Sequence, residues 1–191
     1  MRLTNVACAA IFAMFAGPAL ADGAILKIIT PNDKQRLAGY EQTRKAALEE
    51  AKAGAPAELA DLNKVLARPT VAFSNKDLTG NWQCRTIKVG KILPLVIYPW
   101  FKCRITDDGA GWMLEKVSGS QRTKGRFYDD GEKRAIYLGS DYVSGEKAKP
   151  YGSGPKTDSV GYAFRTSAKA FRIEFPKPFY ESNLDIIELR R

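Results

Sequence analysis

Asp77-Leu-Thr-Gly-Asn-Trp-Gln-Cys84 is the stretch on which the fold turns. Gly80 lets the backbone bend without a Cβ clash. Trp82 places the largest apolar side chain at the start of an extended segment, and Cys84, two residues on, shares its face because strand side chains alternate with period two. Before this stretch the sequence has helical punctuation; after it the punctuation belongs to strands. The stretch therefore reads as the first strand of a small antiparallel barrel, with Gly80 and Trp82 forming a structural plug at one end.

Working toward the C-terminus, Trp82–Val89, Leu95–Thr106, Trp112–Val117, Gln121–Tyr128, Arg134–Leu138, Gly161–Thr166, Phe171–Phe175 and Leu184–Leu189 read as strands. Clusters of Gly, Pro, Asn, Asp and Lys separate them. Asp107-Asp-Gly109 and Asp129-Asp-Gly131 are the clearest hairpin turns. About eight strands with no helix between them argue for an up-and-down barrel or a sandwich, of which the barrel is the favoured reading. Pro94 and Pro99 interrupt the second strand, where a bulge would turn Tyr98 and Trp100 toward a barrel mouth. The long Gly-, Pro- and Lys-rich stretch Ser144–Asp158 is expected to lie over one mouth as a loop or lid.

Working toward the N-terminus, Pro56 opens a helix carrying Leu59, Leu62, Val65 and Leu66. A longer helix before it starts at Thr30-Pro-Asn-Asp33, where Thr30 is a candidate cap, Pro31 fits the first helical position and Asp33 completes a capping-box pattern. Leu37, Tyr40, Ala47, Leu48 and Ala51 form its apolar stripe, and Gly54 ends it. The pair is a helical hairpin. The short lead Ala24-Ile-Leu-Lys-Ile-Ile29 reads as an extra strand or as packing beneath the helices. Met1–Ala21 has the form of a secretory signal: Arg2, an apolar run over Val6–Ala16, and Ala19-Leu20-Ala21 as a small-x-small cleavage site. The expected organisation is a signal peptide at 1–21, a helical hairpin at 22–74 and a barrel at 75–191, in a periplasmic or secreted protein cleaved after Ala21.

Cleavage removes Arg2 and Cys8 and leaves a net charge of +8, one less than the +9 of the whole chain. Two cysteines remain, and in an exported chain they are expected to pair as Cys84–Cys103. Catalysis finds few groups to use. The chain holds no histidine, so there is no Ser-His or Cys-His pair, and it has neither a Gly-x-Ser-x-Gly elbow nor a Cys-x-x-Cys motif. The carboxylates at Asp107/Asp108 and Asp129/Asp130 fall in turns, where Asp serves backbone geometry. Glu174/Glu181 is the remaining pair. No enzyme activity, no metal and no cofactor are expected.

The basic strands are more suggestive. Arg122, Lys124 and Arg126 share one face; Lys102 and Arg104 lie opposite Phe101, Cys103 and Ile105; Arg85 lies opposite Trp82 and Cys84. With Trp100 these residues form a candidate site for an anionic ligand or surface, beside the simpler reading of a solvated outer face. The export signal disfavours nucleic acid as the partner.

Leu78-Thr-Gly-Asn-Trp82 resembles the Gly-x-Trp opening of lipocalin, avidin and fatty-acid-binding barrels. That resemblance implies a basic residue from a late strand packed over the tryptophan, with Arg190 or Arg191 in that role. Together with Tyr98-Pro-Trp-Phe-Lys-Cys-Arg104 and Gly119-Ser-Gln-Arg-Thr-Lys-Gly-Arg-Phe-Tyr128, the mature chain resembles exported bacterial proteins grouped as domain of unknown function 4893, a family that carries no activity to transfer. A looser similarity is to small periplasmic inhibitors of secreted metalloproteases, which use a flexible N-terminal arm; this chain departs from them with its helical hairpin. The expectation is an α+β, lipocalin-like fold: an N-terminal helical hairpin on one antiparallel barrel of about eight strands. The expected function is non-catalytic binding of a small apolar or anionic molecule or an envelope component, by a monomer with no transmembrane segment in the mature chain. The alternative is a protein–protein module such as a protease inhibitor or assembly factor.

Overall fold

The alternation set by Trp82 carries through the structure, a computed structural model that describes residues 23–73 and 77–191. The leader Met1–Ala21 and the junction at 74–76 lie outside the described residues. Nine antiparallel strands follow the helices: β1 Gly80–Val89, β2 Leu95–Ile97, β3 Phe101–Asp107, β4 Trp112–Lys116, β5 Gln121–Asp129, β6 Ala135–Val143, β7 Asp158–Ser167, β8 Ala170–Pro176 and β9 Leu184–Arg190. Neighbours in sequence pair in order from β3 to β9, and β9 closes onto β1 over Gln83–Val89. On its other edge β1 pairs first with β3, over Gly80–Cys84, and then with β2, over Ile87–Val89. β2 and β3 are thus one barrel strand broken at Tyr98-Pro99-Trp100, so the expected segment Leu95–Thr106 divides in two. Pro99 supplies no N–H for a ladder.

The barrel has a closed end and an open end. Trp82, Cys84, Cys103, Ile105, Leu114, Phe127, Tyr137 and Phe171 fill the closed half, and Phe73 from the segment before β1 caps it. The indole N–H of Trp82 donates to the Leu78 carbonyl at 2.8 Å. The Arg191 guanidinium lies 4.4 Å from its ring centre and donates to the carbonyls of Thr79 and Asp77, so Arg191 fills the position over the tryptophan. Arg190 instead packs over Trp100. Cys84 and Cys103 form a disulfide across β1 and β3, with Cα atoms 5.8 Å apart. Closing a loop of that length contributes about 3 kcal/mol in the chain-entropy picture.

Among the described residues four helices cover one side of the barrel: α1 Gly23–Ile28, α2 Pro31–Ala38, α3 Tyr40–Ala51 and α4 Pro56–Leu66. The apolar lead is a helix, with Ile25 and Ile29 packed beside Leu37 on outward residues Ile136, Leu138 and Val160 of β6 and β7. The first long helix breaks at Gly39 into α2 and α3. The break lets α2 follow β7 while α3 crosses onto β8, β9 and β1. Thr30 caps α2 through the Asp33 N–H, but the Asp33 carboxylate does not close the box: it takes Arg36 and the Tyr151 hydroxyl, and Tyr151 accepts from the Thr30 N–H. Ala47, Ala51, Leu62 and Val65 are buried against the outward residues Ile87, Val89, Leu184 and Ile186. The apolar stripes of α3 and α4 are therefore spent on the barrel wall.

Candidate functional site

At the open end, period two delivers polar groups to the lumen. Inward positions of β1 run Trp82, Cys84, Thr86, Lys88; those of β4 run Trp112, Leu114, Lys116; those of β9 run Leu189, Ile187, Asp185. Each begins apolar in the closed half and ends ionisable or polar. The Tyr137 ring lies across two glycines, Gly125 and Gly139, which face each other in register on β5 and β6, and its hydroxyl meets the Thr123 hydroxyl at 2.9 Å. That hydroxyl pair is the boundary between filled barrel and open space. Beyond it is a cavity of about 340 Å³, lined by Thr86, Lys88, Lys116, Thr123, Asp141, Ser159, Phe175, Asp185 and Ile187. Residues of the β6–β7 loop, Glu146 and Pro155–Thr157, and of the β8–β9 turn, Pro178–Glu181, form its rim.

Among the described residues four ionisable groups project into the lumen from the strands: Lys88, Lys116, Asp141 and Asp185. Lys88 faces Asp185 across the β1–β9 ladder and ion-pairs with Glu181. Burial pulls its ammonium down, but Glu181 and Asp185 outweigh burial and leave it above the ordinary lysine value. Asp185 accepts a hydrogen bond from the Ser182 hydroxyl, and burial still pushes its carboxyl up to about 6. Asp141 on β6 is open to the cavity while enclosed by the barrel end; that enclosure raises it, and the hydroxyls of Thr123 and Ser159 offset part of the rise. Lys116 is 5% exposed, and burial together with the nearby Lys88 charge lowers it to about 8. Among the described residues its ammonium makes no ion pair or hydrogen bond. Its neighbour is the Phe101 ring face, 4.4 Å from the nitrogen.

The mouth is braced by α3 and edged with apolar groups. Glu50 of α3 accepts from the Lys91 N–H and from the Asn183 side chain, tying the β1–β2 turn to the β8–β9 turn. The described non-glycine residues with positive φ, Lys91, Lys177 and Glu181, all lie on these two turns. Such backbone costs free energy and clusters where the surrounding structure fixes a site. Ile92, Leu93, Phe179 and Tyr180 on the same turns are exposed.

The outward basic residues do not form one site. Arg85 pairs with Glu188 at 2.6 Å and with Asp61 of α4 at 3.5 Å. Trp100 lies on the outer face with Arg85 at 4.8 Å and Arg190 at 3.8 Å from its ring centre, so the bend at Pro99 does not bring it to the mouth. Lys124 pairs with Glu115, and Arg126 with Asp108. Lys102 and Arg104 are exposed on the outer face of β3. Arg122 reaches the cavity rim but donates to the Gly119 carbonyl and the Ser144 hydroxyl. Nor do the acidic pairs converge: Glu174 is held by Arg44, Arg172 and Tyr40 under α3, far in function from Glu181 on the rim. The lumen set Lys88, Lys116, Asp141 and Asp185 was missed by the sequence reading.

The family profile of Domain of unknown function (DUF4893) matches residues 26–189, and the chain belongs to that family. The match begins within α1 and runs through the other helices and the strands to Leu189, one residue before β9 ends. No curated protein and no solved structure matches the chain.

Proposed function

We propose that this member of the Domain of unknown function (DUF4893) family is an exported, non-catalytic protein that binds a small molecule in the open end of its barrel. The observation that carries the reading is the half-filled lumen. A barrel of this size either fills with side chains or holds one small ligand. Here the closed half is packed with aromatic and aliphatic groups, while the open half keeps a cavity of about 340 Å³, within the range of small-molecule sites. Export is supported by the signal-like leader and by the Cys84–Cys103 disulfide, which persists in an oxidising compartment.

The competing module reading takes the helical hairpin or the long loop as its contact, and on the hairpin the apolar stripes of α3 and α4 are buried on the barrel. The test is native mass spectrometry of protein recovered from its own cells. A one-to-one adduct of small-molecule mass is expected; a second polypeptide in place of the adduct would favour the module.

A further inference from the structure

Among the described residues, Lys116 is the buried inward-facing cation of the cavity lining that has no ion pair or hydrogen bond. Of the other cations in the lining, Lys88 and Arg122 are engaged and Lys156 stands exposed on the rim loop. Lys88 has Glu181 and its register partner Asp185, the Arg122 guanidinium is spent on Gly119 and Ser144, and Asp185 has Ser182. Asp141 lies across β5 from Lys116, beyond ion-pair reach. An ammonium carries three donors. The Lys116 stem is buried while its ammonium opens into the cavity, so an anion docked there gains a charge-assisted hydrogen bond from a donor held in place by its surroundings.

Resting on the binding reading above, we propose that the cavity receives an amphiphilic monoanion, a carboxylate or sulfonate with an apolar body, and that Lys116 is the seat of its acid group. An uncharged apolar ligand would bury the ammonium with no acceptor at all. A phosphate dianion would bring its second charge against Asp141 and Asp185. The apolar body has Phe175 and Ile187 to lie on. The ammonium's fall to about 8 keeps it mostly protonated at neutral pH, and docking of an anion reverses that fall. This places the anion site inside the barrel, away from the outward arginines and lysines.

The test uses two fluorescent probes with one ring skeleton: 1-anilinonaphthalene-8-sulfonate and its neutral parent N-phenyl-1-naphthylamine. The wild-type protein is expected to bind the sulfonate one-to-one and at least about tenfold tighter than the parent. Lys116→Met is expected to bring that ratio to about one without weakening the neutral probe, and Lys116→Arg to keep it. In the unmodified protein, which requires no variant to fold, the sulfonate is expected to slow acetylation of Lys116 read by peptide mass. Equal affinity of the wild type for both probes, or a preference that survives Lys116→Met with Lys116 unprotected, would overturn the anion seat while leaving the cavity reading standing. Failure of both probes to bind would overturn the cavity reading and this inference with it.

Discussion

Asp185 and Lys116 are the residues whose chemistry the barrel alters most usefully. The Asp185 carboxyl is raised from 3.8 to about 6, first by burial. The folded state therefore holds its proton more tightly than the unfolded chain does. Stability from this group is full below about pH 4 and is lost as pH rises toward 6, opposite to the usual carboxylate. Asp108 runs the other way: its hydrogen bonds with Arg126 lower it. The Asp185 contribution is thus isolated by comparing the wild type with Asp185→Asn in denaturant titrations. The wild type is expected to lose about 1–2 kcal/mol relative to the variant between pH 4 and 6, less than full linkage because the carboxylate keeps contact with cavity water. Parallel curves would show that Asp185 titrates like an exposed carboxylate. Part of this set was legible: counting by two from Trp82 reaches Lys88, and from Leu114 reaches Lys116, so an ionisable residue ended an otherwise apolar face. Asp141 was not legible, because Gly139-Ser140-Asp141 has the composition of a turn.

At the scale of elements, β6 shows why. The sequence supports a strand over Arg134–Leu138, yet β6 runs to Val143. Propensity fails there because the two glycines are required by packing: a Cβ on Gly125 would lie 2.4 Å from the Gly139 Cα and 2.6 Å from the Tyr137 ring. The aromatic ring occupies the space that two side chains give up. Gly125→Ala is therefore expected to destabilise by about 1–3 kcal/mol, since the clash is with backbone and no rotamer relieves it; an unchanged melting midpoint would contradict the ring-over-glycine packing. The break at Pro99 was legible as an interruption but not its outcome, because the partners of Trp100, Arg85 and Arg190, come from distant strands. The division of the first long helix at Gly39 had the same cause: local spacing favours continuity, and contact with successive barrel strands decides where it bends.

For the whole molecule, the class, the helices before the strands, the disulfide and the plug with a terminal arginine over Trp82 were all legible in the chain. The class and the order of elements rest on periodicity and turn residues, the disulfide on two cysteines behind a signal-like leader, and the arginine on what the resemblance to Gly-x-Trp barrels implied. The cavity was not, because alternation says which residues face inward and nothing about whether they fill the space they face. The outward basic strands drew the eye for a related reason: charge counts in sequence do not show that Glu188, Glu115 and Asp108 neutralise Arg85, Lys124 and Arg126. The central claim is that one end of this barrel is left open for a small molecule. Thr86→Trp places a large side chain on the inward face of β1, in the cavity and away from the packed half. Native mass spectra of wild type and Thr86→Trp, recovered side by side from the same cells, test the claim most directly. The expected result is a one-to-one small-molecule adduct on the wild type and a bare chain for the folded variant; an equal adduct on both would place the ligand outside the barrel and contradict it.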